Sequence, residues 1–385
     1  MASFVRLASW FLAAAILAAT PQASLPVGQI IDRVVCVGDE GQSYALFIPP
    51  GYTADRQWPV IFGFDPGGRG RTPVDRYQAA AARYGYILAG SNNSRNGLPD
   101  FVHVVSTFTR DVMSRFNVDP RRVYLAGMSG GARVALTTAL TAPGIAGVIA
   151  SSAGYPDSQP RKSVPFALFA TAGTEDFNHV EMRLLDRALT TPHHLAIFTG
   201  GHTWLSSALA LEAVQWMELQ AMKSGLEPRD PRKVEEILAE RVADIPSGAT
   251  DAAAYLALRA IATDFEGLTD ISAFAARAEV LGKTGVVRSA LKRDRDEDDR
   301  ELRILQDAYA AQARLSTDDR LIALAELNAT WGDLSKKARA ATDSSDRRIA
   351  RRVLTGLAAG ALPQDPEYLA IVAKYRWRPQ VRQAQ

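Results

Sequence analysis

Short apolar runs alternate with longer amphipathic ones through the first half of the chain. "YALFIPP", "PVIFGFD", "YILAGS", "RVYLAG", "AGVIASS", "PFALFATAG" and "LAIFTGG" read as strands. Several are apolar at consecutive positions, the pattern of strands buried on both faces of a parallel sheet. Between them, "DRYQAAAARYG" and "FVHVVSTFTRDVMSRF" carry apolar residues at helical spacing. Strand and helix in alternation predict an α/β fold with a mostly parallel sheet covered by helices. The second half has almost no strand signal. "PRKVEEILAERVADI", "TDAAAYLALRAIATDF", "SAFAARAEVLG", "DRELRILQDAYAAQARL", "DDRLIALAELNATW" and "DRRIARRVLTGLAAG" repeat with helical period and are separated by short joints. Short joints make antiparallel neighbours, so an all-α helical array is expected. It has the outline of tetratricopeptide-type hairpins without their 34-residue consensus.

Charge sharpens the division. From Leu25 to Glu227, 34 of 203 residues are charged, against 51 of 158 from Pro228 to Gln385. The change falls at "GLEPRDPRK", where Gly225, Pro228 and Pro231 break regular structure. A catalytic domain over 25–227 and a helical domain over 228–385 are therefore expected. The run Lys292 to Arg303 mixes both signs and reads as a solvated helix face. A net charge of +2 gives no electrostatic footprint for nucleic acid.

The first residues, "MASFVRLASWFLAAAILAATPQAS", place Arg6 before an apolar run from Leu7 to Ala19 and then small residues. That run is shorter than the roughly 20 residues of a bilayer span and has the order of a secretory signal peptide, so residues 1–24 are read as one. A periplasmic or secreted protein with no stable span after cleavage is the expectation. Cys36 is the only cysteine, so no disulfide forms within the chain, and a small buried hydrophobe is its expected role. The five histidines show no metal-ligand spacing.

The candidate chemistry lies in "YLAGMSGGARVAL", Tyr124 to Leu136. A strand and a helix flank Gly127, Ser129 and Gly131, which form G-x-S-x-G. On a sharp strand-to-helix turn the serine is held in a strained conformation and its neighbours must be tiny. Serine needs a base, and the base an orienting acid. Asp176 follows the strand "PFALFATAG", with Glu175 beside it as the other carboxylate. His202 follows "LAIFTGG". The chain order Ser129, Asp176, His202 is that expected on this fold. For an oxyanion hole, the amide of Gly130 follows the nucleophile directly. A second donor is expected from "DPGGRG", where Pro66 has no N–H and Gly67 is the choice. His193 and His194 read as a turn before a strand, His103 as a helix residue, and His179 as a surface residue of the helix after Asp176.

"YALFIPPGYTADRQWPVIFGFDPGGRG", "FNVDPRRVYLAGMSGGARVA", "GTED" and "GGHTW" resemble the α/β-hydrolase esterases related to polyhydroxybutyrate depolymerases and feruloyl esterases, over about residues 40 to 220. The resemblance implies an α/β-hydrolase fold in which Ser129 is nucleophile, Asp176 acid and His202 base, with no metal or cofactor. The chain departs from the family at Asp65-Pro66, where His-Gly usually opens the oxyanion loop. A small-molecule carboxylic ester is the expected substrate. Two other readings stand beside it: a serine peptidase of prolyl-oligopeptidase or dienelactone-hydrolase type, and a non-catalytic hydrolase-like module binding protein partners through its helices. Since the triad is complete by His202, the helical region is expected to fold separately. It would contribute no catalytic group, and a chain ending near Glu227 would still hydrolyse small activated esters.

Overall fold

The computed structural model describes residues 25–157, 159–245, 248–360 and 363–377; the expected signal peptide lies outside the described residues. Eight strands form one sheet: β1 (Ile30–Cys36), β2 (Asp39–Phe47), β3 (Trp58–Phe64), β4 (Ile87–Ser91), β5 (Val118–Met128), β6 (Ile145–Ser151), β7 (Ala167–Gly173) and β8 (His193–Phe198). Their order is β1-β2-β4-β3-β5-β6-β7-β8. β2 runs antiparallel to β1 and β4, while β4, β3, β5, β6 and β7 are parallel to one another. This is the α/β-hydrolase arrangement, as the sequence led one to expect. The seven runs read as strands are all strands. β1 was missed because Asp32 and Arg33 interrupt its apolar pattern, at a point where its register against β2 shifts.

The helices α1 (Arg71–Tyr84), α2 (Phe101–Arg115), α3 (Gly130–Thr141), α4 (His179–Ala188) and α5 (Ser207–Lys223) alternate with the strands. Side chains along a strand point to opposite faces. In β5, Val123 and Leu125 therefore meet Phe108 and Val112 of α2 and Ala135 and Leu136 of α3 in one core. Tyr124, Ala126 and Met128 face the other way, into a core with Tyr77 and Ala81 of α1 and Val214 and Trp216 of α5. Cys36 is buried in the first of these cores, and burial pushes its thiol up to about 11, so it is inert.

Seven more helices follow: α6 (Pro231–Ala243), α7 (Asp251–Asp264), α8 (Ser272–Gly282), α9 (Gly285–Ala313), α10 (Arg320–Ala338), α11 (Ser345–Ala359) and α12 (Pro366–Tyr375). Each expected helix is present, and α12 was not expected. No helix among the described residues is long and apolar enough to cross a membrane.

Packing divides the chain into two compact units. One holds the described part of Met1–Ala172 with Glu181–Ala196 and Thr203–Val280; the other holds Gly173–Val180, Ile197–His202 and the described part of Leu281–Gln385. The division does not follow the change in composition at Pro228. In the first unit, Val234 and Ile237 of α6 and Ile261 of α7 bury against Leu219 and Met222 of α5. Glu218 of α5, buried, binds Arg122 of β5 and, at 2.6 Å, Lys233 of α6. Asp264 of α7 accepts from the Trp216 indole at 2.8 Å and lies 3.1 Å from His194 Nδ1. In the second unit α9 to α12 enclose their own core around Trp331, Val353, Leu354 and Tyr368. The polar run Lys292 to Arg303 lies within α9, but it is not wholly solvated. Asp298 and Glu301 are buried, and Glu301 pairs with Arg352 of α11 at 2.5 Å.

Candidate active site

Ser129 separates β5 from α3 with φ 54° and ψ −122°, a conformation that costs a non-glycine residue about 1–3 kcal/mol. Its surroundings explain why glycines flank it. A Cβ on Gly127 would lie 2.2 Å from the Gly131 carbonyl oxygen, and one on Gly131 would lie 1.9 Å from that of Phe64. The start of α3 therefore presses onto the ends of β3 and β5, neighbours in the sheet although β4 lies on the far side of β3. The strand order reverses there, and open α/β sheets place their ligands outside the strand ends at such a point. The Ser129 amide donates to Ser151 O of β6 at 2.9 Å, which fixes the turn against the next strand. Gly130 opens α3, so its N–H has no carbonyl one turn back within the helix to bind it. The positive end of the helix dipole is at the same place. A Cβ on Gly130 would lie 1.7 Å from Asn96 Oδ1, so the Asn96 carboxamide rests on this turn. Sequence reading passed over Asn96, because nothing in "SNNSRNG" singles it out from its neighbours.

Asp176 and His202 come together. His202 Nδ1 lies 2.8 Å from Asp176 Oδ1, and the carboxylate, an acceptor only, places the proton on Nδ1. The same Oδ1 accepts from the Asn178 amide at 2.9 Å. Asp176 is fully buried, and its Oδ2 has no hydrogen-bond partner among the described residues. The Phe177 ring stacks on the imidazole, centroids 4.0 Å apart. Glu175 faces elsewhere: its carboxylate binds Arg351 at 2.6 Å. The loops after β7 and β8 are also joined along the backbone, by Thr174 N to Phe198 O at 2.8 Å and Glu175 N to Gly200 O at 2.7 Å.

The loop after β3 departs from expectation. The Gly67 amide, read as the second oxyanion donor, instead donates to Asp65 Oδ1 at 2.8 Å. A short carboxylate two residues upstream of an amide closes such a turn on itself. Asp65 is buried and also accepts from Arg69 Nε at 2.9 Å and from the Trp204 indole at 2.8 Å. Burial works to raise its carboxyl, but Arg69, Trp204 and the Gly67 amide outweigh that and hold it below the usual range. Asp65 thus ties this loop to the segment just after His202. Ser152 is the other non-glycine residue with positive φ among the described residues, at 60°. Buried at the end of β6, its Oγ donates to Thr203 O at 3.1 Å.

The remaining histidines are structural. His179 is buried, not on the surface, with Nδ1 3.0 Å from Gly173 O. His193 and His194 begin β8 instead of forming a turn before it, and His194 stacks on Phe169 at 5.0 Å. His103, on α2 as expected, binds Asp39 at 3.0 Å. Among the described residues no three His, Cys, Asp or Glu side chains stand close enough to hold a metal ion.

No family model matches the chain, and no curated protein sequence matches it. Among solved structures, the chain is similar to the feruloyl esterase module from Clostridium thermocellum, with a TM-score of 0.38 and 12% identity, covering 48% of this chain and 85% of that one. It is similar to S-formylglutathione hydrolase from Staphylococcus aureus, with a TM-score of 0.37 and 16% identity over 46% and 90% of the two chains. It is also similar to a hyperthermophilic esterase from the archaeon Pyrobaculum calidifontis, with a TM-score of 0.39 and 11% identity over 52% and 87%.

Proposed function

We propose that this protein is a serine hydrolase that cleaves carboxylic esters through Ser129, His202 and Asp176. The observation that carries the reading is the backbone of Ser129, strained at φ 54° between β5 and α3 where the strand order reverses. Nothing in packing the sheet requires a non-glycine residue in that conformation, and strain of this kind collects at functional sites. The Asp176–His202 pair supplies what a weak hydroxyl nucleophile needs.

In the proposed reaction His202 Nε2 takes the Ser129 proton as Oγ attacks the ester carbonyl. Asp176 keeps the proton on Nδ1 and stabilises the imidazolium that forms. The tetrahedral oxyanion is stabilised by the Gly130 amide at the head of α3. His202 then returns the proton to the departing alcohol, leaving an acyl-enzyme that water, activated by the same imidazole, hydrolyses. The reaction uses no metal or cofactor. The signal-peptide pattern of residues 1–24 supports action in the periplasm or outside the cell.

The test is labelling with a fluorophosphonate probe, followed by turnover of a panel of p-nitrophenyl esters and peptide p-nitroanilides. Ser129→Ala is expected to abolish labelling and to lower ester turnover by several orders of magnitude. Near-wild-type turnover in that variant refutes the nucleophile, and cleavage of the anilides alone makes the protein a peptidase.

A further inference from the structure

We propose that the C-terminal helices are part of the hydrolytic machinery: α9 and α11 position the acid–base pair through Arg352, Glu301 and Arg351. This rests on the reading of Asp176 and His202 as acid and base. Asp176 and His202 lie in loops that pack as one compact unit with α9 to α12. On α11 the apolar stripe Ile349, Val353, Leu354 and Leu357 faces the helical core. Arg352 and Gly356, one turn apart and so on one face, meet the loop after β7. The Arg352 guanidinium donates to Thr174 O at 2.7 Å and, through Nε at 2.8 Å, to Glu301 of α9.

Both side chains of that ion pair are buried. An apolar pair would serve stability as well or better, so stability alone gives no reason for this one. What apolar side chains cannot do is hold a carbonyl. Thr174 in turn is bonded to the loop that carries His202, through its amide to Phe198 O at 2.8 Å and its Oγ1 from Gly200 N at 3.3 Å.

Two further contacts act on the same loop. Arg351 binds Glu175 at 2.6 Å and is itself anchored on Ala338 O at 2.9 Å. Phe177, whose ring lies on the imidazole of His202, has its Cβ against α11, where a Cβ on Gly356 would lie 3.4 Å from it. The residues before and after Asp176 are thus held from α11. Arg352, Arg351 and Glu301 are positioning residues and touch no reacting atom.

The experiment uses the full-length chain. Glu301→Leu/Arg352→Met removes the donor to Thr174 without leaving a buried charge unpaired. It is expected to melt within a few degrees of wild type and to lose about 10- to 100-fold in kcat, with KM changed less than about threefold, the signature of a misplaced catalytic group. Arg352→Gln, which also leaves Glu301 uncompensated, is expected to lose melting temperature as well. Wild-type kcat in the folded double variant overturns the proposal. If that variant melts below the assay temperature, Arg351→Gln, which keeps the buried pair, decides. A severalfold loss of kcat at unchanged KM supports the positioning role, and wild-type kcat overturns it. A wild-type chain that neither labels with fluorophosphonate nor hydrolyses esters would instead remove the hydrolase reading itself.

Discussion

Replacing Asp176 by Asn removes one charge and almost no volume, and the geometry fixes how the amide settles. Asp176 Oδ1 accepts from both the Asn178 amide, at 2.9 Å, and His202 Nδ1, at 2.8 Å. Turning an NH2 group into that position would set N–H against N–H, so the carboxamide keeps its oxygen there and places its nitrogen where Oδ2 now lies. His202 then keeps its proton on Nδ1 and its Nε2 as an acceptor. What disappears is the negative charge beside the imidazolium that forms in the reaction. An adjacent carboxylate favours a cation by about one to three pKa units, each about 1.4 kcal/mol. The barrier is therefore expected to rise by about 1.4–4 kcal/mol, roughly 10- to 1,000-fold in kcat/KM. Asp176→Ala loses the orienting acceptor as well and is expected to fall by roughly 10,000-fold. Glu175→Gln leaves the acceptor of His202 in place and is expected to stay within about tenfold of wild type. Initial rates on p-nitrophenyl acetate measure all three, with thermal melts confirming the fold. A loss at Glu175 equal to or above that of Asp176→Asn would refute the assignment of the acid. Equal losses for Asp176→Asn and Asp176→Ala would show that the Asn178 amide does not fix the orientation.

Asp65→Asn should remove a pH-dependent part of the stability. The depressed carboxyl contributes stability that is fully present above its unfolded value of about 3.9 and is lost as pH falls through the folded value. The variant is expected to lose about 2 kcal/mol at neutral pH, since the exposed Arg69 can return to water, and less near pH 3; urea unfolding with an unchanged difference at pH 3 and 7 contradicts this. Glu218→Gln takes the charge from a buried carboxylate held low, against its burial, by Arg122 and Lys233, and should cost about 3 kcal/mol. Glu227, raised by burial and by Glu218 on the same two cations, should cost less than 1 kcal/mol as Glu227→Gln in the same urea series, and a reversed order is the result that counts against the ranking. A chain ending at Glu227 strips Lys233 from Glu218, Asp264 from Trp216, and α6 and α7 from Leu219 and Met222. It is expected to aggregate or to melt without cooperativity, and a soluble, cooperatively melting and fully active chain of that length would restore the independence read from composition.

Local rules made much of this legible. The strand runs and the turn at Ser129 follow from side-chain alternation and from the sterics of a strand entering a helix, which act over a few residues. Gly127 and Gly131 could be read because a Cβ on either meets backbone. Where such rules conflict with a charge the reading failed: β1 is broken by Asp32-Arg33, and the polar run in α9 hides a buried Glu301.

Asp176 and Glu175 are neighbours of the same chemistry, and nothing within a few residues separates them. The choice is made by Arg351, 176 positions from Glu175, which draws that carboxylate away, while Asn178 and His202 converge on the other. The Gly67 amide looked free until the side chain two residues before it folded back on it, held from the far side by Trp204, 139 positions away. Composition placed a boundary at Pro228, but α6 and α7 bury their apolar faces on α5, and the loops carrying Asp176 and His202 pack with α9 to α12. The sequence by itself determined the strand-to-helix turn at Ser129 and the order of elements, because sterics and periodicity are local. Which carboxylate meets His202, which amide is engaged and which helices pack with those loops were decided by the tertiary structure, because a hydrogen bond or an ion pair depends on distance in space and not on separation along the chain.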